Sequence, residues 1–448
     1  MNLWTKRTLY LSCFLIFFIL APLLILYTQG YRYNQTKEKI EATGVFYIKS
    51  YPRGANIFIN NVDSKKTTPD QINNILSSFY DLTVSKDGYF PWQKTLFLPA
   101  RQTVFSEDIA LFKTNPNNIF NESSSLPNFT ASTNHQATFW KKNNGQLELW
   151  LFDAQTEKAQ LIAPWLKTST APKVTWSSNN QRLLLEPANL TPMIIKVDGG
   201  GQIAFNQLSK LIPEQLSWDD QDDNFLYFTN QNKLYRLDLL NKTINLLFTS
   251  STQAFVPNRG SIWYLTPGNN ALTLSQWKER TNQVKDWLII PNLPGWQLTT
   301  YNNIVICYNQ NTQTAYLLEE NSDPQLQQPA ITVLKEFKYF QWYGSHLLYG
   351  NQNQINLFDL NTKENRLIIR TTDTINNFFW HPNGVYYLKS QDHQLVITEL
   401  DERGKSNSYP YPFAPAPDQN VVFNKKGDRL FVIHQIDKGW QLSGFEMQ

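Results

Sequence analysis

The chain has 448 residues, 41% hydrophobic and 17% charged, enough apolar content for two or three packed domains and too much for a disordered polymer. Forty Lys and Arg against 37 Asp and Glu give a formal charge of +3, and no basic run is long enough to follow a phosphate backbone, which argues against nucleic acid as a partner. Two cysteines, Cys13 and Cys307, cannot make a disulfide framework, and neither sits in a Cys-x-x-Cys pair suited to zinc or redox work.

Leu9 to Tyr27 carries no charge, and the run Phe14-Leu15-Ile16-Phe17-Phe18-Ile19-Leu20 continues past Pro22 into Leu23-Leu24-Ile25-Leu26. At 1.5 Å per residue, about twenty such residues cross a hydrocarbon core of roughly 30 Å, so a single transmembrane helix is expected within residues 1–28. A cleaved signal peptide would be shorter and followed by a small-x-small site, whereas Thr28-Gln29-Gly30-Tyr31-Arg32 follows here, which favours an uncleaved anchor. Cys13 comes after Tyr10-Leu11-Ser12, which is no lipobox, and reads as a small apolar residue in lipid. Lys6, Arg7 and the α-amino group mark the short tail as cytoplasmic. Residues 29–448 are then expected to be extracytoplasmic, in a single-pass protein of the cytoplasmic membrane within a bacterial envelope. Residues 29–43 are polar and read as a short helical or flexible stalk.

From Gly44 the pattern changes to period two. Val45, Tyr47 and Lys49 alternate with Phe46, Ile48 and Ser50, and Ile57 and Ile59 alternate with Asn56, Phe58 and Asn60, which predicts strands. Pro52-Arg53-Gly54-Ala55 between them supplies the fixed φ of Pro and the free φ of Gly that a tight turn needs. Tyr80 to Val84, Thr95 to Leu98 and Ile109 to Leu111 are further strands, with a turn at Lys86-Asp87-Gly88-Tyr89. Gly44, Pro52-x-Gly54-Ala55, Asn60-Asn61, Thr68-Pro69 and Tyr80-x-Leu82-x-Val84-x-Lys86-x-Gly88-Tyr89 together resemble a PEGA domain. The resemblance implies a small β-sandwich over residues 44–114, with a role in envelope attachment or spacing and without catalysis. Arg53 stands in place of the family's usual Glu, Asn61 where Gly normally follows, and Ser78 where Gly often precedes the Tyr strand. Asn tolerates a left-handed conformation, so a hairpin at Asn60-Asn61 is still expected.

Asn115 to Ser132 is rich in Asn, Ser and Pro and reads as a linker that ends in a strand. Beyond it the chain repeats. An aromatic closing one strand recurs at Trp140, Trp176, Trp218, Phe255, Trp296, Trp342, Trp380 and Phe423, at intervals of roughly 36 to 46 residues, the range of propeller blades. Polar turns and second strands follow, as in Ser177-Ser178-Asn179-Asn180 before Leu183, and third strands end in Asp153, Asp238 and Asp359. Short strands in fours, with no intervening helices, bury their faces by stacking radially, so residues 115–448 are expected to be a β-propeller of eight four-stranded blades, with seven as the competing count. The last unit offers only three strands, and a strand from about residue 118 to 134 would complete it. The slot Trp380-His381-Pro382-Asn383-Gly384, followed by an apolar strand, resembles the repeat of TolB-like, WD-type (PD repeat) propellers. The fold class is thus all-β, with one transmembrane helix, a PEGA-like sandwich and a propeller.

No Gly-x-Ser-x-Gly elbow, Ser-x-Asp-x-Gly-x-Thr-Trp box or His-Glu-x-x-His is present, and His135, His346, His381, His393 and His434 fall in different units. His381 occupies a turn slot held elsewhere by Ser or Asp and reads as a turn residue. Asp219-Asp220-Gln221-Asp222-Asp223-Asn224 lacks the Gly and the bidentate Glu of a calcium loop and reads as a hairpin turn. Catalytic residues, metal ligands and cofactors are expected to be none. Two functions stay open. One is a membrane-anchored binding or scaffolding protein of the cell envelope that presents its propeller to a protein or polysaccharide. The other is an envelope enzyme acting on glycans through carboxylates that converge from several blades. Partners are expected at loops on the two faces and at the channel mouth, namely Ala188 to Thr191, Asp198 to Gln202, Glu320 to Pro329 and Asn407 to Pro417. In the last of these, Tyr409, Tyr411 and Phe413 lie between prolines and are the candidate partner-binding residues, the competing reading being aromatics that cap the ring closure.

Overall fold

A computed structural model describes residues 3–448 except 36, 167–169, 320–329, 392–393, 417–419 and 438. Helix α1 (Leu3–Thr28) keeps Pro22 inside it. Its apolar part, Arg7–Thr28, is long enough to cross a membrane and buries nothing against the rest of the protein. The chain divides into two compact units. The first comprises Met1–Asn117 with Thr398–Tyr409 and Glu446–Gln448, and the second Asn118–Ile397 with Pro410–Phe445.

In the first unit β1 (Tyr31–Asn34), β2 (Lys39–Tyr51), β3 (Asn56–Ile59), β4 (Val62–Thr67), β5 (Asp70–Leu76), β6 (Ser78–Ser85), β7 (Trp92–Leu98) and β8 (Thr103–Ala110) form two four-stranded sheets. One runs β1-β2-β5 with β8 parallel to β2, and the other runs β4-β3-β6-β7. Alternation decides the faces: on β7, Trp92, Lys94, Leu96 and Leu98 point inward and Gln93, Thr95 and Phe97 outward. Phe46, Ile48, Ile57, Leu82, Val84, Trp92 and Leu98 make the core between the sheets. Asn60 and Asn61 have φ of 48° and 63°, the two left-handed residues of a tight hairpin turn between β3 and β4. At Gly44 a Cβ would lie 2.6 Å from the Pro99 carbonyl oxygen, so glycine permits the sheets to close there.

The expected stalk is different. Tyr31 to Asn34 pair with Lys39 to Ala42 as a hairpin, not a helix, and the Thr43 N–H donates to the Gly30 carbonyl. Lys39 and Glu41 alternate with Ile40 and Ala42, a short period-two signal that the polar composition of the segment overshadows. Lys94 is fully buried, with Nζ 3.5 Å from Glu399 and 3.1 Å from Asp401, and Trp92 Nε1 donates to Glu399 at 3.0 Å. These acids lie about 300 residues downstream of Lys94, yet belong to the same compact unit.

In the second unit the strands form seven consecutive four-stranded antiparallel sheets, at residues 130–166, 173–204, 215–249, 254–291, 296–335, 339–370 and 375–411. The eighth joins three strands at 421–446 with β9 (Asn117–Ser124), so the described residues form eight blades. The first strand of the propeller segment completes the last blade, as the three-strand shortage there predicts. Cores form between successive blades: Leu149 and Leu151 pack with Leu183 and Ile195, and Phe139 and Phe152 with Phe431 and Ile433, the last of these joining blade eight to blade one. The sequence phase is off at three points, one of them Phe255, which is the second residue of Ala254–Asn258. Trp140 lies in the second strand of blade one, whose first strand is only Thr130–Ala131, and Trp296 opens its strand instead of closing it.

Candidate functional site

The first strands of neighbouring blades touch at several junctions, which puts them around the channel axis. Their closing aromatics reach backward: Trp176 Nε1 donates to the Thr130 carbonyl (3.1 Å), Trp218 Nε1 to Thr175 (3.3 Å) and Trp380 Nε1 to Gln341 (2.9 Å), each in the preceding blade. The next residues reach forward. Ser177 and Ser178 hydroxyls donate to Asp223 of the following blade at 2.8 and 3.0 Å, His381 Nε2 donates to the Gly427 carbonyl at 3.1 Å, and Tyr301 and Tyr343 hydroxyls donate to the Gly344 and Pro382 carbonyls. The Trp-Ser and Trp-His slots are therefore inter-blade stitches on one face. His381 accepts the Asn383 N–H at Nδ1, and burial pushes its pKa down to about 4.

Within this face lies a cavity of about 480 Å³ at the first-strand ends of blades two to five, walled by Trp176, Trp218 and Tyr301 with Asp219, Asp220 and Arg259. Three aromatic side chains from different blades thus stand beside carboxylates, a guanidinium and the amides of Gln221 and Asn302. Tyr301 stacks on Trp342 with centroids 4.4 Å apart and planes 3° from parallel, which fixes its ring. The acidic run is a turn. Asp219 accepts the Gln221 and Asp222 N–H groups and the Tyr227 hydroxyl, Asp220 accepts the Arg259 N–H at 3.0 Å, and Asp223 accepts the two serine hydroxyls and the Asn179 N–H. Burial raises the Asp220 pKa, opposed by the Arg259 N–H. The strand-ending acids Asp153, Asp238 and Asp359 likewise close turns, each accepting N–H groups two and three residues on.

The three aromatics singled out in the sequence separate. Tyr409 and Tyr411 are 3% and 1% exposed, so they present no ring to a partner and are corrected to core residues. They belong to strand Ser408–Tyr411, the fourth of blade seven, whose alternation of exposed Ser408 and Pro410 with buried Tyr409 and Tyr411 was the overlooked signal. Phe413 stacks on Phe445 at 4.1 Å and lines a cavity of about 610 Å³ with Pro412, Pro415, His434 and Trp440. Asp198 lines a third, polar cavity with Gln160, Arg182 and Lys196. The segment Glu320 to Pro329, His393 and Pro417 lie outside the described residues. Arg259, Tyr301 and Asn302 went unmarked in the sequence because blades four and five follow the repeat least.

Residues 43–114 match the family model of the PEGA domain. Among solved structures, the C-terminal WD40 domain of Sif2 is similar with a TM-score of 0.50 at 12% identity, over 74% of this chain and 98% of that one. The Dos1 propeller is similar with a TM-score of 0.46 at 14% identity, over 73% and 93%. The β-propeller domain of Myceliophteria thermophila Cps50 (Swd1) gives 0.43 at 9% identity, over 75% and 100%. At such identities the likeness is one of fold. No curated protein matches the chain in sequence. The chain therefore carries a PEGA domain at residues 43–114 and, beyond it, a β-propeller with WD40-like structural neighbours.

Proposed function

We propose that this is a membrane-anchored, non-catalytic binding protein of the cell envelope. The helix at residues 3–28 holds it in the cytoplasmic membrane, its N-terminus is cytoplasmic, and the propeller mouth takes an envelope polysaccharide. The domain reading of 1–28 as tail and anchor, 44–114 as spacer and 115–448 as binding module belongs to this proposal, as does the TolB-like kinship of the Trp-His-Pro-Asn-Gly slot. One observation carries the ligand class: Trp176, Trp218 and Tyr301 meet Asp219, Asp220, Gln221, Arg259 and Asn302 in one open cavity. The half-buried Trp176 and Tyr301 rings, over a floor that includes buried Trp218 and beside the Gln221 and Asn302 amides and the Arg259 guanidinium, offer the stacking and hydroxyl-bonding chemistry a glycan strand needs. A glycan-cleaving enzyme is the weaker reading, because Asp219 and Asp220 spend their oxygens on turn N–H groups and the Tyr227 hydroxyl.

Arg259 and Asn302 have φ of 48° and 54°, so Arg259→Asn and Asn302→Gly remove mouth side chains without forcing the backbone. With the full chain in detergent, retention on isolated wall polysaccharide should fall about tenfold in the double variant at unchanged melting temperature. Equal retention of wild type and variant would remove the mouth as the site, and no retention of either would remove the polysaccharide.

A further inference from the structure

Phe79, Phe97 and Phe105 on the PEGA unit are 67%, 49% and 55% exposed, although outward positions of a solvent-facing sheet are ordinarily polar. With Leu96, Pro99 and Val104 they wall a mainly apolar cavity of about 560 Å³, at whose rim Arg403 adds a guanidinium. The Phe79 and Phe97 rings are paired across β6 and β7, centroids 5.0 Å apart.

The register says at which end they stand. Phe79 and Phe97 are each one residue from the strand ends at Ser78 and Leu98. Leu98 and the Pro99 carbonyl crowd Gly44, the Arg101 N–H donates to the Thr43 carbonyl, and Thr43 is bonded to Gly30, two residues beyond the end of α1. The aromatic groove is therefore at the helix-exit end of the domain. Cations gather there too: the Arg32 guanidinium lies 3.8 Å over the Tyr27 ring, and Arg101 bonds the Tyr31 hydroxyl.

We infer that this end of the PEGA domain seats on the lipid surface beside its own helix, the Phe79, Phe97 and Phe105 rings entering the interfacial layer and Arg32 and Arg101 meeting lipid phosphates. The inference rests on reading α1 as a membrane anchor. Interfaces favour aromatic side chains and cations together, and a domain joined to its span by so short a connection meets the headgroups before any other partner. The apolar groove and the cations thereby acquire one occupant of matching chemistry.

The test uses the full chain with Cys13→Ala, since Cys307 is buried and does not label. A single bimane-labelled cysteine is placed at Ala100 beside the groove, at Asp87 on the β6–β7 turn at the opposite end of those strands, or at Leu15 within α1. Vesicles of phosphatidylethanolamine and phosphatidylglycerol at about 3:1 carry brominated acyl chains. Quenching is expected at Ala100 and Leu15 and not at Asp87, and Phe79→Ser with Phe97→Ser and Phe105→Ser should cut the Ala100 quenching about threefold while leaving Leu15 unchanged. A quenched Leu15 with Ala100 as unquenched as Asp87 overturns the seating alone. An unquenched Leu15 overturns the anchor and the seating with it. Cross-linking of Ala100→Cys between two copies without lipid quenching would give the groove to a dimer instead.

Discussion

His381 is 1% exposed and holds the junction of blades seven and eight as the neutral Nε2–H tautomer: the Gly427 carbonyl takes its one proton, and Nδ1 accepts from Asn383. A second proton at Nδ1 would face the Asn383 N–H, and burial already holds the pKa at about 4. The folded pKa lies below the unfolded value of about 6.5, so the unfolded chain binds more protons between these two values. Stability should fall by about 3 kcal/mol as pH drops from about 6.5 to 4, and stay level in this respect below that. The lowered His434 titrates in the same direction, so the check is a difference: denaturant unfolding of His381→Ser should show a shallower pH slope than wild type. Parallel slopes would dismiss His381 as the source. Asp223, 4% exposed, is the counterpart between blades two and three. Asp223→Ala strands the hydroxyls of Ser177 and Ser178 and two N–H donors and should cost about 3 to 5 kcal/mol, whereas Asp223→Asn keeps one acceptor and should cost less.

At the level of elements, β7 illustrates what sequence can and cannot carry. Its alternation predicts a strand and its inward face, yet puts Lys94 on that face without a visible reason. Glu399 and Asp401 supply the reason from the far end of the chain. Lys94→Ala should destabilise by about 3 kcal/mol, because Glu399 remains buried without its cation, whereas Asp401 keeps Arg403. Lys94→Met with Glu399→Gln should recover much of the loss, since Gln still accepts from Trp92 and Asn407. Chemical denaturation of the single and double variants measures both, and equal costs would deny the pairing. The same division holds elsewhere. The PEGA hairpins and the blade period are local, so residue spacing reveals them, and Asn60-Asn61 folds as its chemistry requires. Prolines around Tyr409 and Tyr411 disguised a period-two strand as a loop. The mouth cavity is assembled from four blades, two of them poor copies of the repeat, so no linear motif announces it.

For the propeller as a whole, closure decides how it unfolds. Stacked repeats that end freely are stabilised by neighbours alone and can fray from either end. Here β9 enters blade eight, and Phe120 packs between Phe152 at 4.8 Å and Phe431 at 6.3 Å, so the first and last blades share one core. Gly444 makes that approach possible, since a Cβ there would fall 2.4 Å from the Phe431 ring and 3.0 Å from Phe120. Opening the ring exposes this core and the edge of the third strand of blade eight at once, so loss of any junction should propagate to the rest. Phe120 is half-buried, and Phe120→Ala should cost about 2 kcal/mol. For a unit of this size that corresponds to a melting shift of about 3 °C. Intrinsic emission sums the 14 tryptophans, most of them in blades one to seven and Trp440 in blade eight, while far-ultraviolet dichroism reports all strands. Their midpoints should coincide in the wild type and move down together in Phe120→Ala. An unmoved tryptophan midpoint, with only a minor early change in dichroism, would mean that blade eight frays alone and that closure does not couple the ring.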